Sequence, residues 1–134
     1  MFEYNEQEFD FRGKTLYINW NLGITDRLQK ELNMSFWDFY KKAVTLKMED
    51  IIFFTKNGLY YILNDAIDDY NDGRKENRMR HISMLKVSRM LNEKNIHDYY
   101  SLVLDCINES LPDVKEENEE DDEDYEEPRQ TRED

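Results

Sequence analysis

The sequence predicts an α+β, mainly α fold: an N-terminal β-hairpin, about five helices and a disordered acidic C-terminal tail. Three observations predict it. Apolar and polar residues alternate only in the stretch 8–20. From 23 to 111 the apolar residues recur at three- and four-residue spacing instead, the signature of helices with one buried face. Beyond Pro112 apolar residues almost vanish and carboxylates take over. Strands gathered ahead of the helices argue against alternating βα units.

The hairpin comes first. Glu8-Phe9-Asp10-Phe11 alternates, Arg12-Gly13-Lys14 supplies a glycine turn, and Thr15 to Trp20 resumes with Leu16, Ile18 and Trp20 on one face. A lone hairpin is marginal in water, so this one must pack on something. A short helix over 23–32 follows, with Ile24, Leu28 and Leu32 four residues apart. Ser35 then presents a hydroxyl at an N-cap, with Asp38 three residues on. Behind it Phe36, Phe39, Tyr40, Ala43 and Val44 share one helical face.

Glu49 and Asp50 open the third helix, where carboxylates suit the positive end of the dipole. Ile51, Ile52, Thr55, Leu59, Ile62 and Leu63 form its inward face. Gly58 inside it either costs about 1 kcal/mol relative to Ala or divides the segment in two. Residues 65–77 are polar, contain Asn71-Asp72-Gly73 and read as a loop. Ser83 can cap a fourth helix carrying Leu85, Val87, Met90 and Leu91. A fifth starts at Asn95 or Ile96 and carries Tyr99, Tyr100, Val103, Ile107 and Leu111, until Pro112 stops it.

These elements make one folded domain over 1–111, with residues 112–134 as the tail. The tail has 13 acidic and 3 basic residues, so it holds −10 of the net −13. It offers only Val114 and Tyr125 as sizeable apolar groups, too little to offset the entropy of ordering it. Such a charge balance repels phosphate backbones, so nucleic acid is not an expected partner. The densest basic segment, 74–80, reads as a solvated loop. A lone Cys106 forms no internal disulfide and suits a reducing compartment. The opening MFEYNEQEFDF places charges inside its apolar run, so no signal peptide is expected. No apolar stretch approaches the roughly 20 residues of a membrane span, and the expected location is cytoplasmic.

No catalytic constellation emerges. His81 and His97 stand 16 residues apart, with no HExxH or paired-cysteine spacing, so no metal or other cofactor is expected. The four glycines are scattered singly, which excludes a glycine-rich phosphate cradle. Asp65-Ala66-Ile67-Asp68-Asp69 lacks the spacing and the glycine of a calcium loop. Cys106 lies beside Asp105 with no cation a turn away, an inert thiol. The chain is therefore read as a binding protein, not an enzyme.

The aromatic residues carry the binding reading. Phe, Trp and Tyr number 18 in 134 residues. With Phe36, Phe39 and Tyr40 on one face, Trp37 points about 100° away. Phe53-Phe54 and Tyr60-Tyr61 likewise offer more apolar surface than one stripe needs. Two outcomes are open: a small domain wraps these rings wherever it can, or some of Trp37, Phe53, Phe54, Tyr60 and Tyr61 face a partner.

Taken in order, the strand FDFRGKTLYINWNL, the helix ITDRLQKELNMSFWDFYKKAV, the segment KMEDIIFFTKNGL, the helix YYSLVLDCINESLPD and a charged C-terminus resemble the small tail assembly chaperones of long-tailed, siphovirus-like bacteriophages. The resemblance runs from 8 to about 113 and rests on element order and cadence, as in KELNMSFWDF. It departs at the extra aromatics Phe53, Tyr60 and Tyr61 and at the insert-like NDAIDDYNDGRKENRMR. It implies a protein that binds the tape-measure protein, keeps it soluble and recruits tail-tube subunits. Such a protein is absent from the mature virion, is often made also in a longer frameshifted form, and leaves room for self-association. The rival expectation is an acidic interaction module or DNA-mimic inhibitor from a phage or mobile element. Against mimicry, the acids concentrate in a tail instead of repeating along rigid elements.

Overall fold

The computed structural model describes residues 6–112. The expectation of a disordered tail falls almost wholly outside them. An antiparallel hairpin precedes five helices, as expected, and the chain is mainly helical. Strand β1 (Gln7–Phe11) pairs with β2 (Lys14–Ile18) so that Phe11 faces Lys14 across a two-residue turn. Arg12 and Gly13 both take positive φ, 54° and 74°. That pair defines the turn whose twist matches antiparallel strands, and glycine occupies the second position at no steric cost. Leu16, Ile18 and Trp20 all face inward.

Helix α1 (Leu22–Leu32) is capped by Asn21, whose Oδ1 accepts from the Ile24 N–H at 3.1 Å. It ends at Asn33 in the left-handed conformation that often closes helices. Helix α2 (Phe36–Lys41) starts at the Ser35 cap, whose Oγ accepts from the Asp38 N–H at 3.0 Å. It then tightens into a 3₁₀ turn over Lys42–Val44. Three residues per turn rotate the later positions out of the 3.6-residue phase. Ala43 therefore stays buried, while Val44, expected inside, lies on the surface.

Helix α3 (Met48–Asn71) is one uninterrupted rod of 24 residues, about 36 Å long. It is the hub of the molecule, packing against α5, β2, α4, the 3₁₀ turn and α1. One open alternative closes here and one expectation is corrected. Gly58 does not divide the helix: a Cβ there would stand 2.5 Å from Val103 Cγ1, so the missing side chain lets α5 approach. Residues 65–71 are helix, not loop. Their apolar phase continues through Ala66 and Ile67, and two buried asparagines on the same face find backbone partners.

Those partners lie on the chain that returns from α3 to α4. Asn64 Nδ2 donates to the Ile82 carbonyl at 3.0 Å and its Oδ1 accepts from the Ile82 N–H at 2.8 Å. Asn71 repeats the arrangement on Met79, both bonds at 2.8 Å. Seven helical residues rise about 10.5 Å and three extended residues about 10 Å. The two amides thus clip an extended segment along the helix with matched spacing. Helix α4 (Met84–Met90) follows from Ser83, whose Oγ accepts from the Lys86 N–H at 3.1 Å. Its Leu85, read as part of the apolar set, is exposed. Helix α5 (Ile96–Ser110) closes the core with Val103, Cys106 and Ile107 and stops before Pro112.

Candidate functional site

The five aromatic candidates separate into three environments. Phe54 is fully buried, its ring 5.1 Å from that of Phe39 and 5.7 Å from that of Tyr100. Tyr61 is buried as well, donating its hydroxyl to Glu31 Oε1 at 2.8 Å with Arg27 over its ring. Burial, then the Glu31 contact, pushes its phenol well above the ordinary value. Neither faces a partner in this fold. Both belong to the sides of α3 that its neighbours cover. Phe53 and Tyr60 are half-buried, Phe53 beneath the Lys42 ammonium at 5.1 Å and Tyr60 edge-on to Tyr61. Trp37 alone of the five is open, with 56% of its surface exposed.

Trp37 sits on an aromatic base. Its ring meets Phe36 at 4.9 Å and Tyr40 at 5.9 Å, both edge-on. Trp20 lies below, held by an Nε1–H bond of 2.8 Å to Thr25 Oγ1. With Leu22 and Leu111, the rings of Trp20, Phe36 and Trp37 line a shallow groove of about 420 Å³ between α1, α2 and the end of α5.

A second apolar groove was not anticipated from the sequence. Met48 and Ile52, one turn apart on the first half of α3, are 54% and 40% exposed. The sequence pattern places Ile52 on the inward face of this helix, and its exposure corrects that expectation. Opposite them stand Leu91, after α4, and Ile96, which opens α5, and together they enclose about 380 Å³. Lys56, Glu93 and His97 supply a polar rim. Immediately before Met48, Leu46 is 86% exposed and has φ 65°, a region bulky residues rarely adopt. Asp50 braces this corner: it accepts from Thr45 Oγ1 at 2.9 Å and from Lys42 Nζ at 3.4 Å. The Thr45 bond holds its carboxyl below the usual carboxylate value, assisted by Lys42. Four of the large exposed apolar residues, Val44, Leu46, Met48 and Ile52, thus fall in nine consecutive positions. Of these four, Val44 owes its exposure to the 3₁₀ change of phase, which residue spacing does not reveal.

The remaining chemistry is sparse among the described residues. Cys106 is buried, and burial, with Glu109 and Asp105 nearby, pushes its thiol up to about 12. His81 Nε2 lies 2.6 Å from Asp68 Oδ1 in an exposed pair. Among the described residues no three His, Cys, Asp or Glu side chains converge as metal ligands would. No helix there is long and apolar enough to cross a membrane. Comparison with known protein families, with curated proteins and with solved structures finds no match.

Proposed function

We propose that this protein is a non-catalytic binding module that takes an amphipathic helix in the groove between α3, α4 and α5. The observation that carries the reading is the open pair Met48 and Ile52 facing Leu91 and Ile96. Apolar side chains one turn apart, walled by two further elements, match the anchors at i, i+3, i+4 and i+7 of a partner helix. The polar rim of Lys56, Glu93 and His97 suits the edges of such a helix.

Within that class, the element order and cadence described above favour a phage tail assembly chaperone. Its partner is then the tape-measure protein, a long helical chain that needs its apolar stripe covered until tail-tube subunits replace the cover. An acidic C-terminal segment adds solubility to such an assembly.

Co-expression with a tape-measure protein from the same genome tests both levels. The expected outcome is a soluble complex that survives pull-down with the intact protein. Ile52→Asp should lose it, and Leu22→Asp, a change on the Trp37 surface, should keep it. Loss with Leu22→Asp but not with Ile52→Asp would move the binding surface to Trp37. Absence of any complex would remove the tail-assembly role.

A further inference from the structure

A positively charged groove shares no lining residue with either apolar surface. The hairpin turn supplies Arg12 and Lys14, and the segment clipped to α3 supplies Arg78, Arg80 and His81. Lys86, on the first turn of α4, completes the lining of a concave site of about 580 Å³. The site is built, not accidental. Arg12 Nη1 donates to the Arg80 carbonyl at 2.8 Å, tying the turn to the segment, while its guanidinium rests 4.7 Å from the Phe11 ring. Arg78 Nη1 donates to the carbonyls of Asn71 and Arg74. The Asn64 and Asn71 clips fix the backbone that carries Arg78, Arg80 and His81.

Among the described residues none of Arg12, Lys14, Arg78, Arg80 and Lys86 forms an ion pair, and Asp68 engages only His81. Five cations are gathered at one place on a chain whose net charge is −13. Like charges held close together without compensation favour an anionic occupant.

We propose that this groove binds the acidic segment 113–134 of the same chain. Charge selects it: residues 112–134 hold 13 acids against 3 bases, including the run Glu119-Glu120-Asp121-Asp122-Glu123-Asp124. Reach permits it. The segment leaves the fold beside Leu111, which shares a groove with Trp20, and from Trp20 the chain of β2 leads back about 20 Å to Lys14. Residues 113–134 can extend over about 70 Å. Tethering adds an effective concentration on the order of 1 mM, which an external polyanion must exceed. The acidic segment therefore guards the groove against nucleic acid and other polyanions, and salt releases it within the usual screening range.

The test uses the full chain labelled with 15N and a variant in which the six acids 119–124 become Gln or Asn. Neutralisation, and separately 0.5 M salt, should shift the backbone amides of Lys14, Arg80, His81 and Lys86, independently of protein concentration. A polyglutamate peptide added to the neutralised variant should move the same amides. It should bind the intact chain about tenfold more weakly, the factor expected when a 1 mM tether competes for a contact of about 0.1 mM. Unchanged amides on neutralisation overturn the proposal. Shifts that grow with concentration assign the groove to a second copy's acidic segment and overturn it too. Equal binding of a single-stranded DNA oligonucleotide by both chains makes the groove a nucleic-acid site and likewise removes the guard. The groove is separate from the Met48 and Ile52 surface, so this result leaves the helix-binding reading untouched.

Discussion

At the scale of single residues, the informative positions are those where a side chain lacks what its surroundings normally supply. Thr55 is fully buried in α3, and among the described residues its Oγ1 is the buried side-chain atom with no hydrogen-bond partner. A hydroxyl buried without a partner costs about 1–3 kcal/mol, and valine has nearly its shape. Thr55→Val should therefore raise stability, by about 1 kcal/mol, as read from the denaturant midpoint. A loss of similar size would mean that the hydroxyl holds a partner after all. Leu46 is the opposite case, an apolar side chain in water on a strained backbone. Strain and exposure coincide beside Met48 and Ile52, where a binding role gives both a reason. The sequence could not reveal either fact. Neither the backbone angle of Leu46 nor the packing around Thr55 is carried by residue type or spacing.

At the scale of elements, the decisive contact is that of α3 with α5. Gly58 costs helix propensity, so its place at mid-helix needs a compensating gain. The gain is the close approach of Val103. Gly58→Ala should destabilise the protein by about 1–3 kcal/mol, although alanine is the better helix former. Val103→Ala should be less harmful in the Gly58→Ala background than in the native one, the coupling expected of touching residues. Equal cost of Val103→Ala in both backgrounds would disprove the contact. Elements with local signals were legible: the turn at Arg12-Gly13, the caps at Ser35 and Ser83, and the stop at Pro112. What local signals cannot carry was missed. Polar residues at 64–71 look like a loop until the backbone that Asn64 and Asn71 bind is seen, and that backbone lies eight or more residues away.

At the scale of the whole molecule, α3 is surrounded, and this explains why the aromatic candidates divided as they did. A helix covered on one side shows one apolar stripe, but a hub buries residues around most of its circumference. Phe54 and Tyr61 are the surplus rings of such a hub, while Met48 and Ile52 on its first turns stay exposed. The same enclosure predicts how the fold meets alkali. Cys106 titrates near 12 in the fold against an ordinary 9.0, and Tyr61 is also raised. Groups whose folded value is raised contribute stability that is complete below the unfolded value and lost as pH climbs toward the folded one. Stability should thus be level up to about pH 9 and decline from there toward 12. Cys106→Ala should flatten the first part of that decline in denaturant titrations, and an unaltered slope would show the thiol to be uninvolved. At pH 8 a thiol reagent should modify Cys106 only as fast as the fold opens.

The paired asparagine clips also set where this chain tolerates a change of length. Between them, helix and returning segment are commensurate, one residue against a little over two, so a single insertion or deletion within 79–82 puts both amides out of step. The turn from Asp72 to Asn77 carries no such ruler: doubling a loop costs only about 0.6 kcal/mol. Related chains should therefore vary freely in length at the turn and hold their length along the clipped strip, which keeps the spacing of Arg78, Arg80 and His81 constant while the loop beside them drifts.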